Sequence, residues 1–281
     1  MRFGDLRVDL VPAGRFRLDG GSMFGIVPKV LWSRVRAADE KNRIELAANC
    51  LLIRDGRRNI LVETGMGEKW SEKEREIYAV RSEGGVLGEL GRRGVEAASI
   101  DTVILTHLHF DHAGGSTISD AEGRLVPAFP NATYWVQATE WEFATHLNER
   151  TRASYLARDF EPLQRDGRLR LIEGEVEVIP GLSLLPLPGH TPGMQGILMK
   201  GGGRTALFPA DLVPTTAHVP IPYIMGFDSF PLTTLETKKR ILATALRERW
   251  QLILVHETEH PVGTLREEGG RMAFEPSVEE R

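Results

Sequence analysis

The sequence predicts an α+β fold that gathers its chemistry along one edge of its sheets, and three observations lead there. Short apolar runs rich in Val, Ile and Leu, bounded by Gly, Pro, Asn and Asp, recur along the chain and read as strands. Helical patterns are interspersed with them, the longest at 232–249. Four of the apolar runs end in a conspicuous residue: the first in a cluster around Asp111, the others in His190, Asp211 and His256. Loops at the edge of a sheet scaffold are where sites are built, whereas a lone histidine is ordinarily a satisfied structural residue. Four such strand ends in one chain point to a site.

Composition bounds the rest. A chain of 281 residues, 41% hydrophobic and 26% charged, can bury a real core as one large domain or two small ones. The net charge of −4, with Lys and Arg dispersed among acids, gives no footprint for nucleic acid. The single cysteine, Cys50, rules out an internal disulfide and sits in an apolar run as a core residue. The start, Met1-Arg2-Phe3-Gly4-Asp5, has no apolar signal region, and no stretch is apolar for long enough to span a bilayer. A cytoplasmic protein without membrane contact is the expectation. No internal repeat or low-complexity tract interrupts the chain.

In chain order, 6–11 and 15–18 read as strands split by a turn at Pro12, Ala13 and Gly14. Residues 19–36 are more apolar than a solvated loop, with Met23, Phe24 and Trp32 among them, so they cover something: the core, or a substrate pocket. A hairpin follows at 44–54 and 59–64, ending in Glu63-Thr64-Gly65, where a carboxylate could brace a neighbouring loop. Ser71 with Glu74 three residues on is a capping box that opens a helix at 71–80, and 85–93 reads as a weaker helix. After the cluster come a strand at 133–136, a helix at 139–147, strands at 168–172, 176–179, 182–187, 195–199 and 205–208, the long helix, and a last strand at 252–255.

The strand at 100–105 runs directly into Thr106-His107-Leu108-His109-Phe110-Asp111-His112-Ala113-Gly114-Gly115. Side chains two apart on extended backbone project the same way, so His107 and His109 can share one ion, while the following turn swings Asp111 and His112 to another side. Two adjacent metal sites are the natural reading, with Gly114 and Gly115 letting backbone pass close by. Imidazoles and carboxylates suit zinc, and also iron, manganese or cobalt.

This H-x-H-x-D-H signature, with His190, Asp211 and His256 following in order, resembles the metallo-β-lactamase-fold hydrolase superfamily over residues 46–265. The resemblance implies a four-layer αββα sandwich, taken here as one domain over 1–281. It implies two divalent ions, one on His107, His109 and His190, the other on Asp111, His112 and His256, with Asp211 bridging them. It also implies a metal-bridging hydroxide that attacks a lactone, carboxyl ester or phosphotriester, with Asp111 handing the proton to the leaving group. The segments 19–36 and 214–231 look like those of the lactonase-like and organophosphate-hydrolase-like branch.

Departures are specific. Glu63 stands where relatives commonly have Asp, and Glu257 follows His256 where many have Asp. His260 competes as the last ligand but lies beyond the strand end. Acyl-homoserine lactonases carry Tyr three residues after the bridging Asp, where this chain has Pro214, so Tyr223 or His218 would have to supply an equivalent donor. Met23, Phe24, Trp32, His218 and Tyr223 are the pocket candidates. Competing readings are a mononuclear iron persulfide dioxygenase, which uses a subset of these ligands, and a ribonuclease-Z-like phosphodiesterase, which would want a basic arm not found here. The expected partner is a small, neutral, fairly apolar substrate, because 214–231 holds no Lys or Arg; a homodimer is left open.

Overall fold

The computed structural model describes residues 1–277, so the last four residues of the expected domain lie outside the described residues. Its strands are β1 (Arg2–Phe3), β2 (Leu6–Asp19), β3 (Arg43–Arg54), β4 (Asn59–Val62), β5 (Thr102–Ile104), β6 (Thr117–Ser119), β7 (Leu125–Pro127), β8 (Thr133–Gln137), β9 (Leu169–Ile172), β10 (Val176–Ile179), β11 (Leu182–Pro186), β12 (Gln195–Gly201), β13 (Arg204–Phe208), β14 (Gln251–Ile253), β15 (Val262–Glu268) and β16 (Arg271–Pro276). One seven-stranded sheet runs β1-β2-β3-β4-β5-β8-β9 and a second runs β10-β11-β12-β13-β14-β15-β16, with β6 and β7 forming a small separate hairpin. Each large sheet is mixed: hairpin neighbours such as β3 and β4 run antiparallel, whereas β4 with β5 and β13 with β14 run parallel across helical connections.

The apolar runs are continuous because both faces of each sheet are buried, and alternation sorts their residues into different layers. Leu51, Ile53, Ile60, Val62 and Ile104 of the first sheet meet Leu184, Ile197, Met199, Ala206 and Phe208 of the second in a core between the sheets. Their sequence neighbours Cys50, Leu52, Leu61 and Val103 face the other way, against Val86, Leu90 and Leu163 of the outer helices. On the far side Leu198, Leu207 and Leu252 pack on Ile241, Leu242 and Ala245 of helix Pro231–Arg247. Helix, sheet, sheet and helix are thus stacked as the expected αββα sandwich.

At one edge the two sheets are laced by backbone. Asn49 N donates to Val255 O, Ala47 N to His256 O and Gln195 N to Thr106 O. Side chains add to this: Asn49 Nδ2 donates to Leu254 O and Glu257 O, and Gln195 Nε2 to Leu105 O. Every one of these bonds lies within a few residues of a strand end singled out above.

Three sequence expectations are corrected. Pro12-Ala13-Gly14 is not a turn between two strands; β2 is continuous, and its pairing with β3 slips between Pro12 and Arg15. This bulge brings Gly14 so close to Arg81 O that an added Cβ would lie 2.9 Å away, and Arg15 and Arg81 exchange backbone hydrogen bonds there. Residues 19–36 are not an irregular loop but contain the short helices Gly20–Phe24 and Lys29–Trp32, the first capped by Asp19 accepting from Ser22 N. The hairpin β15–β16, which the polar alternation in 262–276 hid, completes the second sheet.

Candidate metal centre

Strand β5 delivers the chain to residues 105–109, and the four-residue helix Phe110–Ala113 turns it back, so His107, His109, Asp111 and His112 converge, all buried. His190 sits in the turn after β11, Asp211 in a tight turn after β13 and His256 after β14, and all three are buried against the same point. His260 is exposed and outside the cluster. Ligand atoms group as His107, His109 and His190, as His107, His112 and Asp211, and as Asp111, His112 and His256, with each group's atoms lying within 4.8 Å of one another. Asp211 spans them: Oδ2 lies 3.3 Å from His190 Nε2, while Oδ1 lies 3.4 Å from His112 Nε2 and 3.1 Å from His256 Nε2.

The nitrogens facing away from the centre are held from behind. His190 Nδ1 bonds Asp228 Oδ1 at 2.7 Å, His256 Nδ1 donates to Ala47 O at 2.8 Å and His107 Nδ1 meets Thr106 Oγ1 at 3.0 Å. His112 Nδ1 faces Glu63 Oε2 at 3.3 Å. Such outer partners fix ring orientation and leave the inner nitrogen free for an ion. Glu63 thus braces the ligand loop as its position suggested; its other oxygen accepts from Thr106 N. Glu140 was not foreseen. Fully buried on helix Ala138–Thr145, it accepts from Leu108 N and Tyr155 Oη through Oε1 and from Thr191 Oγ1 through Oε2, tying both ligand turns to one helix. Asp228 was missed too, because a single Asp inside an apolar segment carries no signal of its own.

The electrostatics ask for a cation. Burial, then neighbouring His112, pushes the His107 pKa well below its ordinary value, and burial does the same to His109, so both stay neutral, the state that coordinates metal. Burial opposes charge on His112 as well, but the carboxylates of Asp211, Asp111 and Glu63 outweigh it and pull its pKa well above the usual range. His107 Nε2 and Asp211 Oδ1 are buried without a hydrogen-bond partner. Orphaned acceptors at the meeting point of five imidazoles and two carboxylates fit a pair of divalent ions bound by N and O donors.

A cavity of about 280 Å³ opens over the centre, lined by His109, Asp111, His190, Asp211 and His256 on its floor and by Met23, Met225 and Phe227 on an apolar wall. Of the expected pocket residues, Met23 reaches it. Phe24, Trp32, His218 and Tyr223 do not line it. Phe24 and Trp32 are buried and stacked on each other at 5.2 Å; Phe24 also stacks on His218 at 4.7 Å, and Tyr223 meets its edge. His218 is buried with Nδ1 on Thr215 Oγ1 and Nε2 on Met23 O, so these side chains build the wall from behind. The absence of Lys and Arg from 214–231 did not carry over to the cavity, because β2 and β3 bring Arg17 and Arg43 to its rim. Both are engaged by acids, Arg17 by Asp39 and Glu45 and Arg43 by Asp39.

The profile of the metallo-beta-lactamase superfamily matches residues 43–256. The chain belongs to that superfamily. Within the superfamily it is 32% identical over 267 residues to an N-acyl homoserine lactonase from a Bacillus species, covering 90% of this chain and 94% of the relative. A probable metal-dependent hydrolase from Staphylococcus aureus superposes with a TM-score of 0.90 at 29% identity over 99% of both chains. AidC, a dizinc quorum-quenching lactonase solved in complex with a product, shares the superfamily fold at a TM-score of 0.83 and 21% identity, over 100% of this chain and 97% of that one. The protein is therefore a metal-dependent hydrolase of the metallo-β-lactamase fold. No helix among its described residues is long and apolar enough to cross a membrane.

Proposed function

We propose that this hydrolase opens lactones of the N-acyl homoserine class, with two divalent ions, zinc foremost, held by His107, His109 and His190 on one side and Asp111, His112 and His256 on the other. Asp211 belongs to both. The observation that carries this reading is the Asp211 carboxylate, which turns one oxygen toward His190 and the other toward His112 and His256. Two ions so placed supply Lewis acidity and acidify water at neutral pH. This chain's residues do the rest. Asp111 lines the cavity floor, where its carboxylate can hold a proton and pass it to the leaving oxygen. Met23, Met225 and Phe227 take up an acyl chain, whose burial is worth about 25 cal/mol per Å². The curated relatives named as lactonases, matched over nearly their whole length, support the substrate class.

Residues from both sheets complete the site, so the chain works as one unit with a small neutral molecule, not nucleic acid, as its partner. Exposed Ile26, Val30, Leu31 and Val35 favour a homodimer, which light scattering checks.

Metal analysis of purified protein, followed by kcat/KM over lactones of increasing acyl length, tests the reading. Two equivalents per chain and a rise with chain length are expected. Full activity at one equivalent would remove the dinuclear site, and an inactive enzyme across lactones, esters and phosphotriesters would remove the substrate class.

A further inference from the structure

A hydrolase of this kind gains most from hydrogen-bond donors already aimed at the oxygen on which charge develops. Around the cavity such donors are few. Arg43 lines it, but its Nε donates to Asp39 Oδ2 at 2.9 Å and its Nη1 to Glu76 O and Ile77 O at 2.8 and 2.7 Å. Arg17 is held between Asp39 and Glu45.

The chain has four tyrosines. Tyr134 accepts from Phe129 N and donates to Ser116 O, and Tyr155 donates to Glu140. Tyr223 does not line the cavity. Tyr78 does, beside Asp111, and its hydroxyl makes no hydrogen bond among the described residues. Its ring is fixed by Phe110 at 5.0 Å and Trp70 at 5.6 Å, and the Trp70 indole is itself pinned to Met66 O.

The backbone beneath Tyr78 is equally determined. Helix Glu72–Tyr78 starts at the Ser71–Glu74 capping box and stops at Ala79, a non-glycine residue at φ 46°, whose N–H closes back on Arg75 O and Glu76 O. Arg43 reaches across from β3 to satisfy the last-turn carbonyls of Glu76 and Ile77, so a strand of the sheet sets where the end of the helix lies.

We propose that Tyr78 is a catalytic residue, its hydroxyl donating to the substrate oxygen that gains negative charge, and that Arg43 is the positioning residue that aims it. This rests on the hydrolytic reading above. It gives the site a donor from an element that neither ligand motif includes, the helix Glu72–Tyr78.

The test uses metal-loaded protein and whichever substrate the wild type turns over best. Tyr78→Phe keeps the ring and its packing, so metal content and melting temperature should stay at wild-type values. kcat should fall by about 100-fold, the usual loss for one such donor, with KM little changed and the shape of the pH profile unaltered. Arg43→Gln should lower kcat in the same direction by a smaller factor, and adding it to Tyr78→Phe should cost almost nothing further. Ser154, the other hydroxyl on the cavity wall, is the competing donor. Tyr78→Phe within twofold of wild type, or a loss that appears in Ser154→Ala instead, would overturn the assignment while leaving the hydrolase reading intact. A wild type inactive on the whole panel would overturn both.

Discussion

Asp228 Oδ1 lies 2.7 Å from His190 Nδ1, and both side chains are buried to within 1% of full enclosure. The pair decides which imidazole nitrogen is presented to Asp211, and the carboxylate makes that nitrogen more basic. Asp228→Asn keeps an acceptor and loses the charge; Asp228→Ala loses both. Metal affinity, measured by competition with a chelating dye, should fall by about 10-fold in the first and about 100-fold in the second. Equal affinities in all three proteins would show that His190 is oriented by packing alone.

Glu140 accepts three hydrogen bonds inside the protein, two of them from groups on the ligand-bearing turns. Its burial raises its pKa, and the donors on Thr191, Leu108 and Tyr155 pull it back toward the charged form. In Glu140→Gln the amide turns an N–H on at least one of these donors, which leaves a buried group unpaired. A loss of about 1–3 kcal/mol in urea unfolding is expected, together with weaker metal retention. Unchanged stability would mean the turns are held elsewhere.

Two glycines in opposite surroundings make a paired test. A Cβ on Gly115 would sit 2.3 Å from Thr64 O, a backbone atom that cannot swing aside. Gly91 lies in helix Gly85–Arg92 with nothing within 4 Å of the same added atom. Gly115→Ala should cost about 1–3 kcal/mol and loosen the ligand loop, whereas Gly91→Ala should gain about 0.5–1 kcal/mol from helix propensity. Thermal melts of the two variants beside the parent read the contrast directly.

Lys238 ties helix Pro231–Arg247 to the segment beside the cavity, donating through Nζ to Pro220 O at 2.9 Å and Tyr223 O at 2.8 Å. Burial lowers its pKa to about 7, against the opposing pull of Asp228. The unfolded chain keeps a lysine protonated to about pH 10.4, so between roughly pH 7 and 10 the unfolded state binds more protons and stability from this group rises with pH. Below pH 7 both states carry the proton and the burial cost is fully present. Relative to Lys238→Met, the wild type should therefore gain on going from pH 7 to pH 9.5, by an amount on the order of 2–3 kcal/mol. A pH-independent difference between the two proteins would remove Lys238 as the titrating group.

The residues of the candidate metal centre are readable because each sits where an apolar strand stops, and the strands are readable because burial on both faces leaves apolar runs such as 50–53 and 206–208. The outer partners were not. Glu140 and Asp228 act through side-chain contacts spanning tens of residues, Glu140 to Thr191 and Asp228 to His190, and no local pattern marks such a pairing. Phe24, Trp32, His218 and Tyr223 read from sequence as pocket surface because apolar character cannot tell a lining side chain from the one stacked behind it. Tyr78 carries no sequence signal for the converse reason: it closes an otherwise solvated helix, and only the fold brings its ring against Phe110.

The backbone lacing at the sheet edge makes the site a vernier. His107, His109, Asp111 and His112 ride on the first sheet and His190, Asp211 and His256 on the second, so their mutual spacing reports how one sheet is seated on the other. Phe208, Met199 and Ile53 between the sheets touch no reactant, yet their volumes set that seating. A shift of about 1 Å at a reacting centre is enough to cost about 100-fold in rate. Reactivity can therefore be retuned from the middle of the sandwich, by residues that a search confined to the cavity walls would never select.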